Sequence, residues 1–377
     1  MSRVERATGP TAGDRGGVAE PQDSAGRRPR WIGWGRPLLT LVLLLVAAAV
    51  AIGLGATIGS VRIGWHDLLG FTFTGRTDDP STAVLLGQIR LPRVITAATV
   101  GAGLGIAGLL MQTLFANPLA DPYILGVSSG ASLGVALVTL GSGTLTGGFV
   151  SLVGGSRLAV AAAAAVGSAA VLLLILLLGR WVRSVITLLI TGVMLSSAVG
   201  AITSLLLAFA DPTRLQRYVV WGLGSYGGVT RGDLLILVPV ITGAIVLSAV
   251  LARSLNALLL GELYARSLGV PVVGVRIVAM VATAVIAGAV TAYCGPIAFL
   301  GIAVPHLARL AIGSSDHRLL MPASILVGIV TSSLCSIVAQ LPGEDAVLPI
   351  NVTSALVGAP VVIIVLLRSR RLSAGAV

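Results

Sequence analysis

The sequence predicts an all-α integral membrane protein with about ten transmembrane helices. Of its 377 residues, 56% are hydrophobic and only 10% are charged, and the mean hydropathy is +1.01. Soluble domains carry about a quarter charged residues. The apolar residues are gathered in long segments, and a run of about 20 such residues crosses the bilayer as a helix because a helix satisfies its own backbone hydrogen bonds.

Ten apolar segments follow one another along the chain. A basic stretch precedes the first one, as in a signal peptide, but the apolar run exceeds the roughly 7–15 residues of a signal-peptide core, so we expect an uncleaved helix. The third segment is rich in glycine and serine, and the eighth is short and contains Pro305. The predicted spans are 37–59, 93–115, 123–142, 158–179, 185–209, 233–252, 275–294, 297–312, 319–340 and 349–367.

The chain divides into three parts. Residues 1–36 are polar and rich in glycine and arginine, which predicts a disordered cytoplasmic tail. Residues 37–370 form one transmembrane domain, whose longest inner loop is 253–274, and residues 371–377 form a cytoplasmic C-terminal tail. With the N-terminus inside, 17 of the 25 arginines lie on the inner side and eight on the outer side. Because positive residues favour the cytoplasmic side, we expect both termini inside, N-in and C-in.

The charged and sulfur-containing residues exclude several functions. Every basic residue is arginine, whereas a P-loop and a Schiff base both need lysine. The net charge of +11 is concentrated in the tail and short loops, where it orients a membrane protein, so we expect no nucleic-acid partner. Cys294 and Cys335 lie in or beside apolar segments without a Cys-x-x-Cys motif or clustered histidines. We therefore expect no disulfide, no metal site and no cofactor.

Acidic residues are almost absent from the apolar segments. Carriers that are driven by protons or sodium ions usually keep such a charge, because a charge inside the membrane is costly and is retained only where it works. We therefore expect a transport path whose energy comes from outside the chain, from a partner that hydrolyses ATP. A secondary transporter is the alternative.

Two glycine motifs resemble enzyme signatures. Residues 103–108, Gly-Leu-Gly-Ile-Ala-Gly, have the dinucleotide-binding pattern but lie inside an apolar span and follow no strand, so close helix packing is expected. Residues 126–130, Gly-Val-Ser-Ser-Gly, have the pattern of a serine nucleophile elbow. Ser128 with His306 would allow an intramembrane serine hydrolase, whereas small residues at a tightly packed helix start are the simpler explanation.

The segment 117–123, Asn-Pro-Leu-Ala-Asp-Pro-Tyr, joins the second and third spans. Its two prolines, four residues apart, predict a rigid turn. A plain connection and a stiff turn that closes a pore are both compatible with this pattern.

The segment 294–309 is predicted to break helical backbone twice. Gly295 and Pro296 end one helix, and Pro305 interrupts the next. Broken backbone at membrane depth is tolerated only where protein or a water-filled cavity surrounds it. His306 and Arg309 share a helix face near the inner surface, which fits a hydrogen-bonded hinge or a contact with a partner.

The inner loop 253–274 is amphipathic at helical spacing and too polar to cross the membrane. Its predicted apolar face consists of Leu255, Leu258, Leu259, Leu263 and Leu268. A helix lying on the membrane surface and a docking element for a cytosolic partner explain the pattern equally well.

Seven motifs occur in order between residues 37 and 370. They are Arg90-Leu-Pro-Arg93, Asn117-Pro-Leu-Ala-Asp-Pro122, Leu125-Gly-Val-Ser-Ser-Gly130, Ser267-Leu-Gly269, Gly295-Pro-Ile-Ala-Phe-Leu-Gly301 with Val304-Pro-His-x-x-Arg309, Asp316-His-Arg318, and Leu348-Pro-Ile350 followed by Gly358-Ala-Pro360. With these motifs the chain resembles the permease subunit of the iron-siderophore, haem and cobalamin family of ABC importers.

The resemblance implies a type II ABC importer permease fold of ten helices in the bacterial cytoplasmic membrane. It also implies the partners: a second permease copy, as a homodimer or a close homologue, two ATP-binding cassette ATPase subunits at the cytoplasmic face, and an extracytoplasmic substrate-binding lipoprotein. The expected function is import of a metal chelate without any catalytic residue in this chain. An iron(III)-siderophore is the first expectation, and cobalamin and haem are the alternatives.

The resemblance also implies three sets of site residues. Arg90 and Arg93 match outward-facing arginines that dock carboxylates of the binding protein. The cytoplasmic gate matches Asn117, Pro118 and Leu119. The ATPase-coupling helices match Glu262, Ala265, Leu268 and Gly269. The chain departs from the family pattern at Ser336, Gln340 and Val347, where many members have Asp, Arg and an acidic residue, and the second gate segment near Val185 and Ile186 is more apolar than usual.

Overall fold

The computed structural model describes residues 35–59, 61, 63–75, 77, 79–140, 157–179, 181, 185–341 and 347–374. Residues 1–34 of the predicted N-terminal tail lie outside these ranges, and the first helix already includes residues 35 and 36. In the described ranges all regular structure is helical. The α-helices are α1 Gly35–Thr57, α2 Trp65–Thr74, α3 Pro80–Val84, α4 Leu91–Leu114, α5 Val127–Leu140, α6 Arg157–Gly179, α7 Val185–Ala208, α8 Pro212–Gly222, α9 Arg231–Val250, α10 Ala252–Leu258, α11 Glu262–Ser267, α12 Val272–Cys294, α13 Leu300–Ile312, α14 His317–Val338 and α15 Ile350–Ala374.

Two shorter helical turns complete this order. A π-helical turn, Leu85–Arg90, joins α3 to α4, and a 3-10 turn, Pro122–Leu125, precedes α5. Helix α15 continues to Ala374, beyond residue 370, where the sequence predicts the C-terminal tail to begin.

Each of the ten predicted spans coincides with an apolar helix. Seven helical stretches in the described part of the chain are long and apolar enough to cross a membrane: α1, Pro80–Leu114, α6, α7, α9, α12 and α14. The apolar parts of α5, α13 and α15 are shorter, at Val127–Leu140, Leu300–Ile312 and Ile350–Ile364. A helix of about 15 residues rises only about 22 Å, less than the roughly 30 Å hydrocarbon core, so each short helix covers only part of that depth.

Helices α2, α3 and α8 lie outside the predicted spans. The sequence nevertheless marks where α3 and α8 begin. Asp79 precedes Pro80, and Asp211 precedes Pro212. Each aspartate is the N-cap and its carboxylate accepts a hydrogen bond from the backbone N–H two residues on, at 3.1 Å and 2.9 Å. Proline occupies the first helical position, where its missing N–H costs nothing.

Helix α4 lies at the centre of the bundle because its glycines allow close approach. A Cβ atom on Gly101 would lie 2.1 Å from the carbonyl oxygen of Gly328 in α14, and one on Gly108 would lie 1.7 Å from that of Gly301 in α13. Gly105 faces the backbone of α14 in the same way. The Gly-x-Gly-x-x-Gly motif therefore serves helix packing, as the sequence predicts.

The backbone between α12 and α13 is non-helical, and neighbouring segments satisfy it. Gly295 has φ 75°, and a Cβ there would lie 2.4 Å from the Trp221 carbonyl oxygen. Asn351 of α15 accepts from the Ala298 N–H at 2.9 Å and donates to the Pro296 carbonyl at 2.8 Å. This agrees with the rule that broken backbone at membrane depth needs partners from the protein. The sequence did not single out Asn351.

The predicted interruption at Pro305 is wrong. Helix α13 continues from Leu300 to Ile312, and Pro305 lies inside it. The break lies earlier, at residues 295–299, where Phe299 has a positive φ of 68°. Within a helix, proline removes one backbone donor, and the remaining hydrogen bonds of α13 hold the helix together on both sides.

Candidate functional site

The connector, residues 115–121, turns the chain sharply between α4 and the 3-10 turn. Ala116 has φ 45°, and the Asn117 N–H donates to the Gln112 carbonyl at 3.2 Å. The Asn117 side-chain oxygen accepts from the Leu119 N–H at 2.9 Å. This bond is an Asx turn, which fixes the backbone locally as the Asn-Pro pair predicts. Leu119 is 38% exposed at the tip.

One side chain of α13 holds the connector, and a second holds the end of α4 just before it. His306 Nε2 lies 2.9 Å from the Pro118 carbonyl oxygen, and because a carbonyl only accepts, Nε2 is the donor. Arg309 donates to the Gln112 Oε1 at 2.8 Å, and the Gln112 amide donates to the Ile302 carbonyl at 3.1 Å. The structure thus joins two predicted sets, the gate and the hinge, into one network. Gln112 was missed because nothing in its local sequence marks it.

Asp121 closes the connector and caps the 3-10 turn. Its carboxylate accepts a hydrogen bond from the Tyr123 N–H at 2.7 Å. Burial raises the pKa of the Asp121 carboxyl to about 6 from an ordinary value of 3.8, and the backbone hydrogen bond offsets only part of that rise. The ionisation of this connector residue therefore changes within the physiological range of pH.

Helices α10 and α11, called the helix pair below, lie at the same end of the bundle as the connector. Gly261, with φ 104°, separates them. A cavity of about 350 Å³ lies between the connector and the helix pair, and its lining includes Thr113, Asn117, Gly261, Glu262 and Arg276. This end of the bundle is called the connector end, and the end that carries α2 and α8 is called the opposite end.

The prediction of one continuous apolar face on the loop 253–274 is wrong. Leu255 is fully buried, but Leu259, Leu263 and Leu268 are 50%, 86% and 58% exposed. The break at Gly261 turns α11 away from the axis of α10, so the helical periodicity does not continue across it. Instead, the pair packs inward through Leu255, Ala257 and Ala265, and Leu259, Leu263 and Leu268 face outward.

Glu262 fixes the position of α11. Its carboxylate pairs with Arg266 at 2.6 Å and with Arg276 of α12 at 3.1 Å. The hydrogen bond from Arg266 and the nearby Arg276 charge hold the pKa of Glu262 below its ordinary value. Gly269, with φ 78°, ends α11 in a left-handed turn that favours glycine.

The predicted outward-facing arginines are buried. Arg90 is 4% exposed and Arg93 is 8% exposed. The Arg90 guanidinium donates to the Ile58 carbonyl and, at 2.6 Å, to the Val61 carbonyl, just beyond the C-terminus of α1. A cation at the carboxyl end of a helix is favourable, so Arg90 stabilises the chain after α1. The burial of both side chains argues against docking through them, and the loop after α1 holds Arg90.

The serine of the Gly-x-Ser-x-Gly motif has no catalytic arrangement around it. The glycine at 130 faces the Gly167 carbonyl of α6, where a Cβ would lie 2.3 Å away, so the motif serves helix packing. His306 bonds Pro118 rather than Ser128. The arrangement does not support the hydrolase alternative.

The architecture is that of a membrane permease: a helical bundle around a glycine-rich α4, one broken crossing, and a rigid connector beside an exposed helix pair. The model of the FecCD transport family matches residues 41–368, and the chain therefore belongs to this family.

Known proteins of similar sequence and structure agree. The chain is 38% identical over 334 residues to the uncharacterized ABC transporter permease protein YvrB of Bacillus subtilis (strain 168), covering 86% of this chain and 92% of that protein. It is 38% identical to the vitamin B12 import system permease protein BtuC of Escherichia coli O9:H4 (strain HS), over 78% of this chain and 86% of that one. A solved structure described as an inward-facing metal-chelate type ABC transporter matches with a TM-score of 0.76 and 28% identity, over 88% of this chain and 99% of the other.

Family membership confirms several predictions. The protein is a multi-pass protein of the cytoplasmic membrane with the type II ABC importer permease fold, and it is not itself an enzyme. Its family implies ATPase partner subunits, a substrate-binding protein and a permease dimer. This excludes the secondary transporter and the hydrolase as functions of the chain.

Proposed function

We propose that this chain is the subunit through which a bulky metal chelate enters the cytoplasm by ATP-driven alternating access. One observation carries the proposal: a rigid connector and an exposed apolar helix pair lie side by side at one end of a bundle that belongs to an ATP-driven permease family. In this proposal the connector end faces the cytoplasm and both termini are inside, which agrees with the arginine distribution.

The connector acts as the cytoplasmic gate. Asn117, Pro118 and Leu119 form its tip, and Leu119 presents an apolar, partly exposed side chain. Apolar constrictions close a path by excluding water. Helix α13 is joined to the connector by His306 and to the end of α4 by Arg309. The break at Gly295 and Pro296 separates α13 from α12, so in this proposal α13 moves with the connector.

The helix pair is the docking element for the ATPase subunits. Its outer surface, formed by Leu259, Leu260, Leu263, Tyr264 and Leu268, is exposed by 50% to 86%. Exposed apolar patches beyond the membrane mark protein contacts. Ala265 and Glu262 hold the pair on the bundle, and Gly269 returns the chain to α12.

We place the docking site of the binding protein on α8 and not at Arg90 and Arg93, because both arginines are buried. Arg217 is an exposed cation on this amphipathic helix at the opposite end, and it borders a cavity of about 230 Å³ with Trp221 and Asp233. Rim charges of this kind steer association more than they strengthen it.

For the cargo, an iron(III)-siderophore is the first candidate. The solved structure similar to this chain is described as a metal-chelate type transporter, which supports the chelate class. Cobalamin is the second candidate, because the similar BtuC proteins are described as vitamin B12 import permeases. Haem is a third.

Uptake by cells with and without the gene tests the proposal. Radiolabelled ferric siderophores, both hydroxamate and catecholate, labelled cobalamin and labelled haem are offered in parallel, with vanadate as an inhibitor of the ATPase. Loss of siderophore uptake alone supports the first candidate, and loss of cobalamin uptake alone replaces it by the second. Uptake of all the labels that is independent of the gene contradicts the proposed function.

A further inference from the structure

A buried hydrogen-bond chain runs from the helix pair to the end of α4. It starts at Asn256 of α10, passes through His317 at the beginning of α14, and ends at Thr113, two residues before the connector. His317 is 1% exposed and Thr113 is 9% exposed. None of these residues belongs to the gate or to the surface of the helix pair.

The partners determine how Asn256 is oriented. Its Oδ1 lies 2.8 Å from the backbone N–H of His317, which can only donate. Its Nδ2 lies 2.6 Å from the Asp316 carboxylate, which accepts. The amide therefore has its oxygen toward His317 and its nitrogen toward Asp316.

The orientation of Asn256 in turn sets the proton on His317. Nδ1 lies 2.8 Å from the same Asn256 oxygen, so Nδ1 carries the hydrogen. A neutral ring with Nδ1 protonated accepts at Nε2, which lies 2.9 Å from the Thr113 hydroxyl. That hydroxyl also lies 2.8 Å from the Leu109 carbonyl of its own helix.

The Thr113 hydroxyl can consequently donate to either of two acceptors. Its one proton can go to Leu109 within α4 or to His317 across the helix boundary, and the ring accepts it only while Asn256 holds the ring in place. The Thr113 carbonyl accepts from the Ala116 N–H at 3.3 Å, where the connector begins. A displacement of α10 thus reaches the first turn of the connector through the side chains of Asn256, His317 and Thr113.

We propose that Asn256 and His317 are positioning residues that couple the helix pair to the connector through Thr113. The inference rests on the proposed function, because the displacement of α10 comes from the docked ATPase. Coupling of this kind is a free-energy link between two sites, and breaking it separates ATP hydrolysis from opening of the gate. Breaking this hydrogen-bond chain leaves the docking surface and the gate residues themselves unchanged.

The test measures chelate imported per ATP hydrolysed. The complex is purified through a tag on this chain from its own host and reconstituted in vesicles, and radiolabelled ferric siderophore, cobalamin and haem are offered in parallel. Thr113→Val removes the link to His317 and keeps the shape of the side chain. Thr96→Val is the matched control, since Thr96 is fully buried in the same helix and bonds only its own Pro92 carbonyl, at 2.7 Å. Thr113→Ser retains the hydroxyl.

We expect Thr113→Val to keep its ATPase subunits and their hydrolysis but to import about fivefold less chelate per ATP, the lower end of the range for coupling between sites. Thr113→Ser and Thr96→Val should keep the wild-type ratio. If Thr113→Val yields no complex, Asn256→Ala replaces it in the test, because it removes the hydrogen bond from α10 to His317. The same ratio of chelate imported to ATP hydrolysed is then measured.

Three results would overturn the inference, and they are distinguishable. A normal ratio in Thr113→Val or in its substitute, in a wild-type background that imports a chelate, removes the coupling and leaves the proposed function intact. A wild-type complex that hydrolyses ATP and imports none of the three labels removes both. A fall in Thr96→Val as large as that in Thr113→Val also removes the coupling, since it would reflect packing.

Discussion

The two ends of the bundle treat their buried polar groups differently. At the connector end, His306, Gln112, Arg309 and His317 all have hydrogen-bond partners. At the opposite end, four buried atoms have no hydrogen-bond partner among the described residues: Arg93 Nε, Trp221 Nε1, Ser333 Oγ and Ser336 Oγ. Thr283 and Ser324, inside the bundle, each add one more.

The difference bears on which end one chain can specify alone. A fully satisfied polar network favours one arrangement, whereas an unpaired buried donor costs roughly 1–3 kcal/mol. The buried polar groups of the connector end therefore favour one arrangement within a single chain. Within the described ranges, the opposite end keeps buried polar atoms without a hydrogen-bond partner near the surface where the proposed binding protein docks.

The largest effect is expected from a charge on the outer surface of the helix pair. Leu263→Asp should abolish co-purification of the ATPase subunits and ATP-dependent uptake, because a carboxylate in an apolar interface loses its hydration. Leu341 is an exposed leucine at the opposite end and serves as the control. Leu341→Asp should retain both the co-purified ATPase subunits and the uptake. An intact complex with Leu263→Asp would exclude the helix pair as the ATPase site.

A matched pair of glutamines tests the stability of the two ends. Gln112→Leu should lower the free energy of unfolding by about 2–4 kcal/mol, because Arg309 and the Ile302 carbonyl both lose a partner. Gln340→Leu at the opposite end should cost less than about 1 kcal/mol, since the side chain of Gln340 bonds the Ser336 carbonyl of its own helix and no other group among the described residues. Thermal unfolding in detergent measures both, and equal losses would contradict the contrast.

Two arginines at the opposite end separate structure from docking. Arg90→Ala should destabilise the protein by roughly 1.5–3 kcal/mol, because two carbonyls after α1 lose a charged donor. Arg217→Ala should leave stability within about 0.5 kcal/mol and slow binding-protein-dependent uptake. Normal uptake with Arg217→Glu would exclude α8 as the docking surface, with Arg217→Lys as the charge-conserving control.

The connector should respond to pH through Asp121. The folded-state pKa of about 6 lies above the ordinary 3.8, so the folded protein holds the proton more tightly and this group's contribution to stability falls as pH rises from about 4 to 6. We expect wild-type protein to lose about 1–2 kcal/mol between pH 4.5 and pH 7 from this source. Asp121→Asn keeps the cap and should remove that loss. An unchanged pH profile in the variant would show that the carboxyl titrates normally.

The smallest contrast lies within α14. Ser332→Ala should cost about 1 kcal/mol, because the buried Tyr226 hydroxyl loses its partner at 2.8 Å. Ser336→Ala removes a hydroxyl that has no hydrogen-bond partner in the part of the chain that the structure describes, and it should be neutral or slightly stabilising. Denaturant midpoints of the two variants decide this, and a larger loss at Ser336 would mean that its hydroxyl is satisfied in the membrane.

Much of the fold was predictable because hydrophobic segments report their own length. The ten spans followed from runs of apolar residues, and the break near Gly295 followed from a Gly-Pro pair. The helix pair was predicted only as one amphipathic stretch, because periodicity does not reveal that Gly261 turns the axis. The burial of Arg90 was not predicted for a related reason: its carbonyl partners lie 29 and 32 residues away in the chain.

Three Asp-Pro pairs, at Asp79, Asp121 and Asp211, show where sequence stops and tertiary structure begins. The sequence by itself determined that each aspartate caps the helical turn that starts with the following proline, because that bond lies within three residues. Only the tertiary structure decided their chemistry. Hydrogen bonds from Ser81 and Thr213 lower the pKa of the exposed Asp79 and Asp211, whereas burial raises the pKa of Asp121. Ionisation depends on the segments that pack around a group, and a local pattern does not contain that information.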